Sequence, residues 1–309
     1  MIRWKRKVLG VKEEGIYGVD SVPTSAANAI LARNVELAFL ELDYEERNID
    51  TGYSGHQGEI IVGQRFVMSF EVELAGSSAL GVAPGYAPLL KAAGAAQTLN
   101  VGVSVVYAPA YPAAAVSAST YFWNDGKLYK GVGCLAEASL NFPRNRVPFY
   151  SFALEGLHVA PVDQAVPVPT LTAFKKPVPV NLANTTPMTL HGFAGKFSGL
   201  SMRFGNVLRY RNLPNSEAIR LLDRKSTGQC VLEDELLATK DWPAIIKAET
   251  LGNLTVTHGP AGNRVTLAAP NVQITRPRKQ REDELVMDAF NLNFLPSAAG
   301  NDEWSITLL

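Results

Sequence analysis

The chain has 309 residues, 47% hydrophobic and 19% charged, which excludes a disordered chain and allows one large core or two ordinary ones. Its 29 Lys+Arg and 29 Asp+Glu cancel to zero formal net charge, which excludes a dedicated nucleic-acid binder and leaves no net repulsion between copies. The two cysteines, Cys134 and Cys230, form no CxxC pair and exclude both a disulfide-dense scaffold and a zinc ribbon.

Arg3, Lys5, Arg6 and Lys7 are followed by no apolar run, so the start does not read as a secretory signal. No stretch approaches the roughly 20 apolar residues of a membrane span, so synthesis in a cytoplasm without membrane insertion is expected. From Gly15 to Gly63 the text is broken by Gly15, Gly18, Pro23, Gly52, Gly55 and Gly58. Periodicity does not decide between helix and strand for Ala26 to Leu42. The expectation is an arm, residues 1–60, with little core of its own, ordering on contact with neighbouring subunits.

Regular structure begins at Gln64 to Ala75, where Phe66, Met68, Phe70, Val72 and Leu74 alternate with Arg65, Val67, Ser69, Glu71 and Glu73. A period of two is a half-buried strand. Ala83 to Ala93, with Pro84 and Pro88 early and Gly94 after it, predicts a short helix. Leu99, Val101, Val103, Val105 and Tyr107 predict one further strand. Thr120 to Trp123, then Asn124-Asp125-Gly126, then Lys127 to Tyr129 predict a β-hairpin, because Asp-Gly readily takes positive φ. Strands are expected at Cys134 to Leu140 and Phe149 to Leu157.

Prolines 161, 167, 169, 177, 179 and 187 then read as an extended connector, since proline lacks the donor that a central strand needs. Beyond it, strand, helix and hairpins recur in the same order. Gln229 to Ala238 is a strand, and Asp241 caps a helix from Trp242 to Ala248. Asn253 to Thr257, Arg264 to Ala268, Asn271 to Thr275 and Leu285 to Phe294 are strands, and Trp304, Ile306 and Leu308 alternate. The fold expected is mainly β: two tandem β-sandwich or β-barrel-like modules at 61–160 and 188–309, each with a short helix packed on it. The 161–187 connector joins them, and the extended N-terminal arm precedes them.

No catalytic, cofactor or metal set emerges. His56, His158, His191 and His258 stand alone, and no HExxH, GxSxG, Walker loop or strand-to-helix GxGxxG is present. Gly131-Val132-Gly133 reads as a bulge or bend, and both cysteines read as buried small hydrophobes. Arg276 to Arg281 is followed at once by Glu282, Asp283 and Glu284, so a solvated hairpin tip or a charge-paired subunit contact is expected there, not phosphate binding. Asn253-Leu254-Thr255 matches a glycosylation acceptor but lacks a secretory context. The chain therefore reads as a structural protein and not an enzyme. A carbohydrate- or receptor-binding β-sandwich is the alternative, for which Trp123, Trp242 and Trp304 would be the aromatic platforms.

Several segments together resemble the tail tube proteins of siphophages: Gly15-Ile16-Tyr17-Gly18-Val19-Asp20 with Pro23-Thr24 and Asn28-Ala29-Ile30-Leu31; Glu73 to Ser77 with Gly81 to Pro84 and Leu89-Leu90; and Asp125 to Lys130. The resemblance covers residues 15–157 most closely. It implies subunits that join sheets into rings, and rings that stack around a tape-measure protein into the conduit for genome ejection. Tail terminator and tail tip proteins would be the end partners, the virion tail the location, and DNA a non-specific passenger. With two modules per chain, a trimeric ring of pseudo-sixfold symmetry is expected in place of a hexamer. The Glu71/Glu73 side of its strand is expected to face a non-basic bore.

Overall fold

The computed structural model describes Arg3, residues 5–110 and residues 115–309. In chain order the elements are β1 (Lys7–Glu13), β2 (Ala29–Ile30), β3 (Ala32–Glu46), β4 (Glu59–Glu73), α1 (Ala87–Ala92), β5 (Ala95–Asn100), β6 (Ser104–Pro109), β7 (Ala118–Asn124), β8 (Lys127–Pro143) and β9 (Phe149–Asp163). The second half adds β10 (Thr185–Leu190), β11 (Phe197–Arg203), β12 (Asn206–Leu213), β13 (Ser216–Arg224), β14 (Thr227–Glu233), α2 (Trp242–Lys247), β15 (Leu251–His258), β16 (Val265–Glu282), β17 (Leu285–Phe294) and β18 (Ser305–Leu308). The protein is mainly β, and its large sheet is antiparallel; β12 and β13 form a separate pair.

Where local chemistry is strong, the elements follow it. Phe66, Met68, Phe70 and Val72 of β4 are buried, and Glu71 and Glu73 lie on the opposite face. Asp125 and Gly126 take positive φ in the β7–β8 turn. The Asp241 carboxylate accepts from the Ala244 amide at 2.9 Å and caps α2. Gly131-Val132-Gly133 runs into a register shift between Val132 and Leu135 in the β8–β9 pairing, a bulge that contains Gly133.

Other expectations need correction. The 1–60 segment is not an arm without core: β1 pairs with β7 along its length, and Leu9, Val11, Ala29, Ile30 and Val35 are buried. β3 pairs with β4 through three register shifts, which scramble its alternation and hide it from a period-two search. Only 47–58 within that segment is exposed loop throughout or nearly so; Met1, Ile2 and Trp4 lie outside the described residues. The single strand expected at 99–107 is a hairpin of β5 and β6, turning at Val101 to Val103 with Val101 88% exposed and Gly102 at φ +71. The two strands expected at 264–275 are one, because Pro270 falls at the β15–β16 register shift, where a donor can be spared.

The 161–187 connector is held closely to the body. Gln164 N donates to Gly126 O (2.9 Å), Thr170 N to Ser25 O (3.0 Å) and Val180 N to Arg146 O (2.9 Å). The Phe174 ring lies 2.5 Å from where a Gly85 Cβ would stand, so a larger residue there would have to displace the ring.

Pairing order repeats between the halves. In the first it runs β1-β7-β8-β9-β4-β3, and in the second β10-β15-β16-β17-β14-β11. The β12–β13 pair extends the β11–β14 hairpin outward, as the outer parts of β3 and β4 extend theirs. The halves share one sheet, joined where β11 pairs with β8 and again where β18 pairs with β6. One hydrophobic cluster spans both, from Phe66, Leu140 and Phe152 to Phe204, Leu292 and Trp304. The Trp304 indole lies 4.3 Å from the Phe204 ring and donates to Ser226 Oγ at 3.1 Å.

His258 sits in this shared core, 2% exposed, edge-on to Phe142 at 6.0 Å and 2.8 Å from Thr185 Oγ1. Burial lowers its imidazole below the ordinary 6.5. The unfolded chain therefore takes up the proton more readily. The resulting stability is fully present above about pH 6.5 and is lost as pH falls from there toward the lower folded value. Thermal unfolding should drop between about pH 7.5 and 5.5, and His258→Gln should shrink that drop. An unchanged slope in the variant would assign the pH dependence elsewhere.

Candidate assembly surface

Eight of the paired strands form a continuous run, β3-β4-β9-β8-β11-β14-β17-β16. Side chains alternate across it, so one face enters the core and the other is polar. Ser139, Asn141, Ser201, Gln229, Asn291 and Asn293 line a groove of about 650 Å³ on the polar face. The groove spans the β8–β11 junction and both halves.

Several charges on this face are paired. Arg33 meets Glu71 at 2.8 Å and Glu73 at 3.4 Å, and Arg65 meets Asp43 at 3.1 Å. Glu137 accepts from the Gly205 amide (2.9 Å) and the Asn206 amide (2.6 Å), with Arg203 at 3.6 Å. Burial pushes its carboxyl above the usual range, against the pull of those donors and of Arg203. The sequence pattern points to Glu71 and Glu73 but not to Glu137, whose role depends on a partner 68 residues away.

The two ends of the run are open. Among the described residues β3 pairs with β4 alone, and β16 beyond Thr275 pairs only with β17. These edges carry opposite charge. β3 holds Glu36, Glu41, Asp43, Glu45 and Glu46 against Arg33, while β16 holds Arg276, Arg278, Lys279 and Arg281 against Glu282. The basic run thus lies along a strand ending in a hairpin tip, where Lys279 meets Asp234 (2.6 Å) and Asp288 (2.8 Å) and Arg281 meets Glu284.

Apolar surface accompanies each edge. On the outer β3–β4 hairpin, Tyr44, Ile60, Ile61 and Val62 are exposed. Beside α2, Leu237, Trp242, Pro243, Ile246 and Phe290 line a groove of about 300 Å³, and among the described residues the buried Trp242 Nε1 has no hydrogen-bond partner.

The residues weighed for chemistry remain dispersed, with one exception. His56, read as isolated, lies 3.8 Å from Glu59, with Glu46 also close, at the exposed end of the β3–β4 hairpin. His158 meets Phe39 O and His191 meets Val272 O, each at 2.8 Å. Cys134 and Cys230 are free and buried; burial raises both thiols, that of Cys230 to about 12. Trp123, Trp242 and Trp304 are at most 3% exposed, so none offers a platform for a sugar. Among the described residues no helix is long and apolar enough to cross a membrane. No protein-family model matches the sequence, and no curated protein is significantly similar to it.

Proposed function

We propose that this chain is a tail tube subunit of a long-tailed phage, with two tandem tube modules per chain and three chains closing each ring. The observation that carries the reading is the eight-strand run, built of two four-strand units in the same pairing order and open at both ends. An open, charged strand edge is a site for further pairing, and closure into a barrel removes it. Within the chain, β11 and β8 already make the module-to-module joint that a ring would repeat.

Three chains of eight strands give about 24; at about 4.8 Å spacing and about 40° tilt the barrel is about 48 Å across at the backbone. That leaves a bore wide enough for double-helical DNA after side chains are added. The polar face, where Arg33 pairs with Glu71 and Glu73 and Arg203 with Glu137, would line it. A basic bore would bind the phosphate backbone and slow its exit. The tape-measure protein would fill the bore during assembly, with terminator and tip proteins at the ends.

End-on electron micrographs of concentrated protein, classified without imposed symmetry, test this. Stacked rings of three chains are expected. Rings of six chains, each with a protruding second domain, overturn the two-module arrangement, and a chain that never forms tubes overturns the function.

A further inference from the structure

We infer that β3 of one copy pairs with the 275–282 segment of β16 in a second copy, Glu36 opposite Gln280, and that its outer β3–β4 hairpin covers the α2 groove. This deepens the tube reading and rests on it for the identity of the partner.

The register comes from the chain's own β8–β11 joint, where Ser201 lies opposite Asn141. Cross-strand pairs place the two halves in correspondence. Phe70 opposite Phe152 matches Cys230 opposite Phe290, and Glu73 opposite Phe149 matches Glu233 opposite Met287. Ser201 faces Gln229 in its own hairpin, as Glu36 faces Ser69. Asn141 faces Phe149, as Gln280 faces Met287. Glu36 is thus the counterpart of Ser201, and Gln280 of Asn141. Both are exposed, on edges with no strand partner among the described residues.

The same transfer names the occupant of the groove. At the intrachain joint, Asn206 Nδ2 donates to Ala93 O (2.8 Å) at the end of α1 and to Ala136 O (3.0 Å) of β8. Leu221 stands 3.2 Å from where a Gly94 Cβ would be. Leu208 faces Leu221 just after a register shift, as Tyr44 faces Ile61 just after one. Ile61 is therefore the counterpart of Leu221, yet it is 57% exposed, and α2 has no such cover among the described residues. Acidic β3 against basic β16 supplies matching charge.

The test is a double variant, Glu36→Cys with Gln280→Cys, oxidised after assembly. Directly opposed antiparallel residues have Cα atoms about 4.5–5.5 Å apart, within disulfide reach. Cys134 and Cys230 are buried and do not compete. Covalent species of two and three chains are expected on a non-reducing gel. The shifted pair Glu36→Cys with Arg278→Cys should give far less. Ile61→Arg should abolish assembly while the unassembled chain keeps its melting temperature, because the side chain is exposed. Tubes that form without the Glu36–Gln280 cross-link, or that cross-link better through the shifted pair, overturn the joint and leave the tube reading standing. Tubes assembled from the Ile61→Arg chain overturn the groove assignment. A wild-type chain that forms no tubes, together with a double variant that forms no cross-links, overturns both readings.

Discussion

Glu14→Ala should destabilise the folded chain by about 3–5 kcal/mol, lowering the melting temperature by roughly 5–8 °C. Glu14 is 6% exposed and collects four donors. Gly18 N and Ser117 Oγ reach Oε2 at 2.8 and 2.6 Å, and Ser119 Oγ and Gly133 N reach Oε1 at 2.8 Å each. One side chain thus ties the end of β1, the Gly15-to-Asp20 segment, β7 and the β8 bulge together. Alanine removes the acceptor and leaves buried donors unpaired, at about 1–3 kcal/mol each for those that water cannot reach. Desolvation of the carboxylate offsets part of this, which keeps the expected loss below the sum. Glu14→Gln should lose less, since one oxygen still accepts. Equilibrium denaturation of the unassembled protein measures it, and a loss under about 1 kcal/mol would mean that water replaces the carboxylate.

Gly205→Ala should cost a similar amount, about 3–5 kcal/mol, by a different route. Gly205 has φ +75 at the point where the β11–β14 hairpin bends outward into β12–β13. A Cβ there would lie 1.8 Å from Lys225 O, a backbone atom that cannot step aside without breaking the bend. The bend also presents the Gly205 and Asn206 amides to Glu137, so the strain reaches the joint between the halves. Gly102→Ala is the control. Its φ is +71, but nothing lies within 4 Å of the added Cβ, so only the backbone cost of about 1–2 kcal/mol applies. Equal losses at the two positions would show that the clash at Gly205 relaxes freely.

Local features were legible wherever neighbours in sequence decide conformation. The alternation from Phe66 to Leu74, the Asp125-Gly126 turn, the Asp241 cap and the exact span of β17 depend on a few adjacent residues and came out as read. The expected arm failed because β3 is bulged three times, so its inward positions do not recur every second residue. The strand expected at 99–107 failed because valines that favour strands also occupy an exposed turn around Gly102. From sequence alone the mainly β class could be determined. Only the tertiary structure decided that β11 completes β8, that β18 returns to β6, and that β3 and the end of β16 stay open. Those outcomes rest on pairings between residues far apart in the chain, and a strand's own side chains specify which face is buried but not which strand lies beside it.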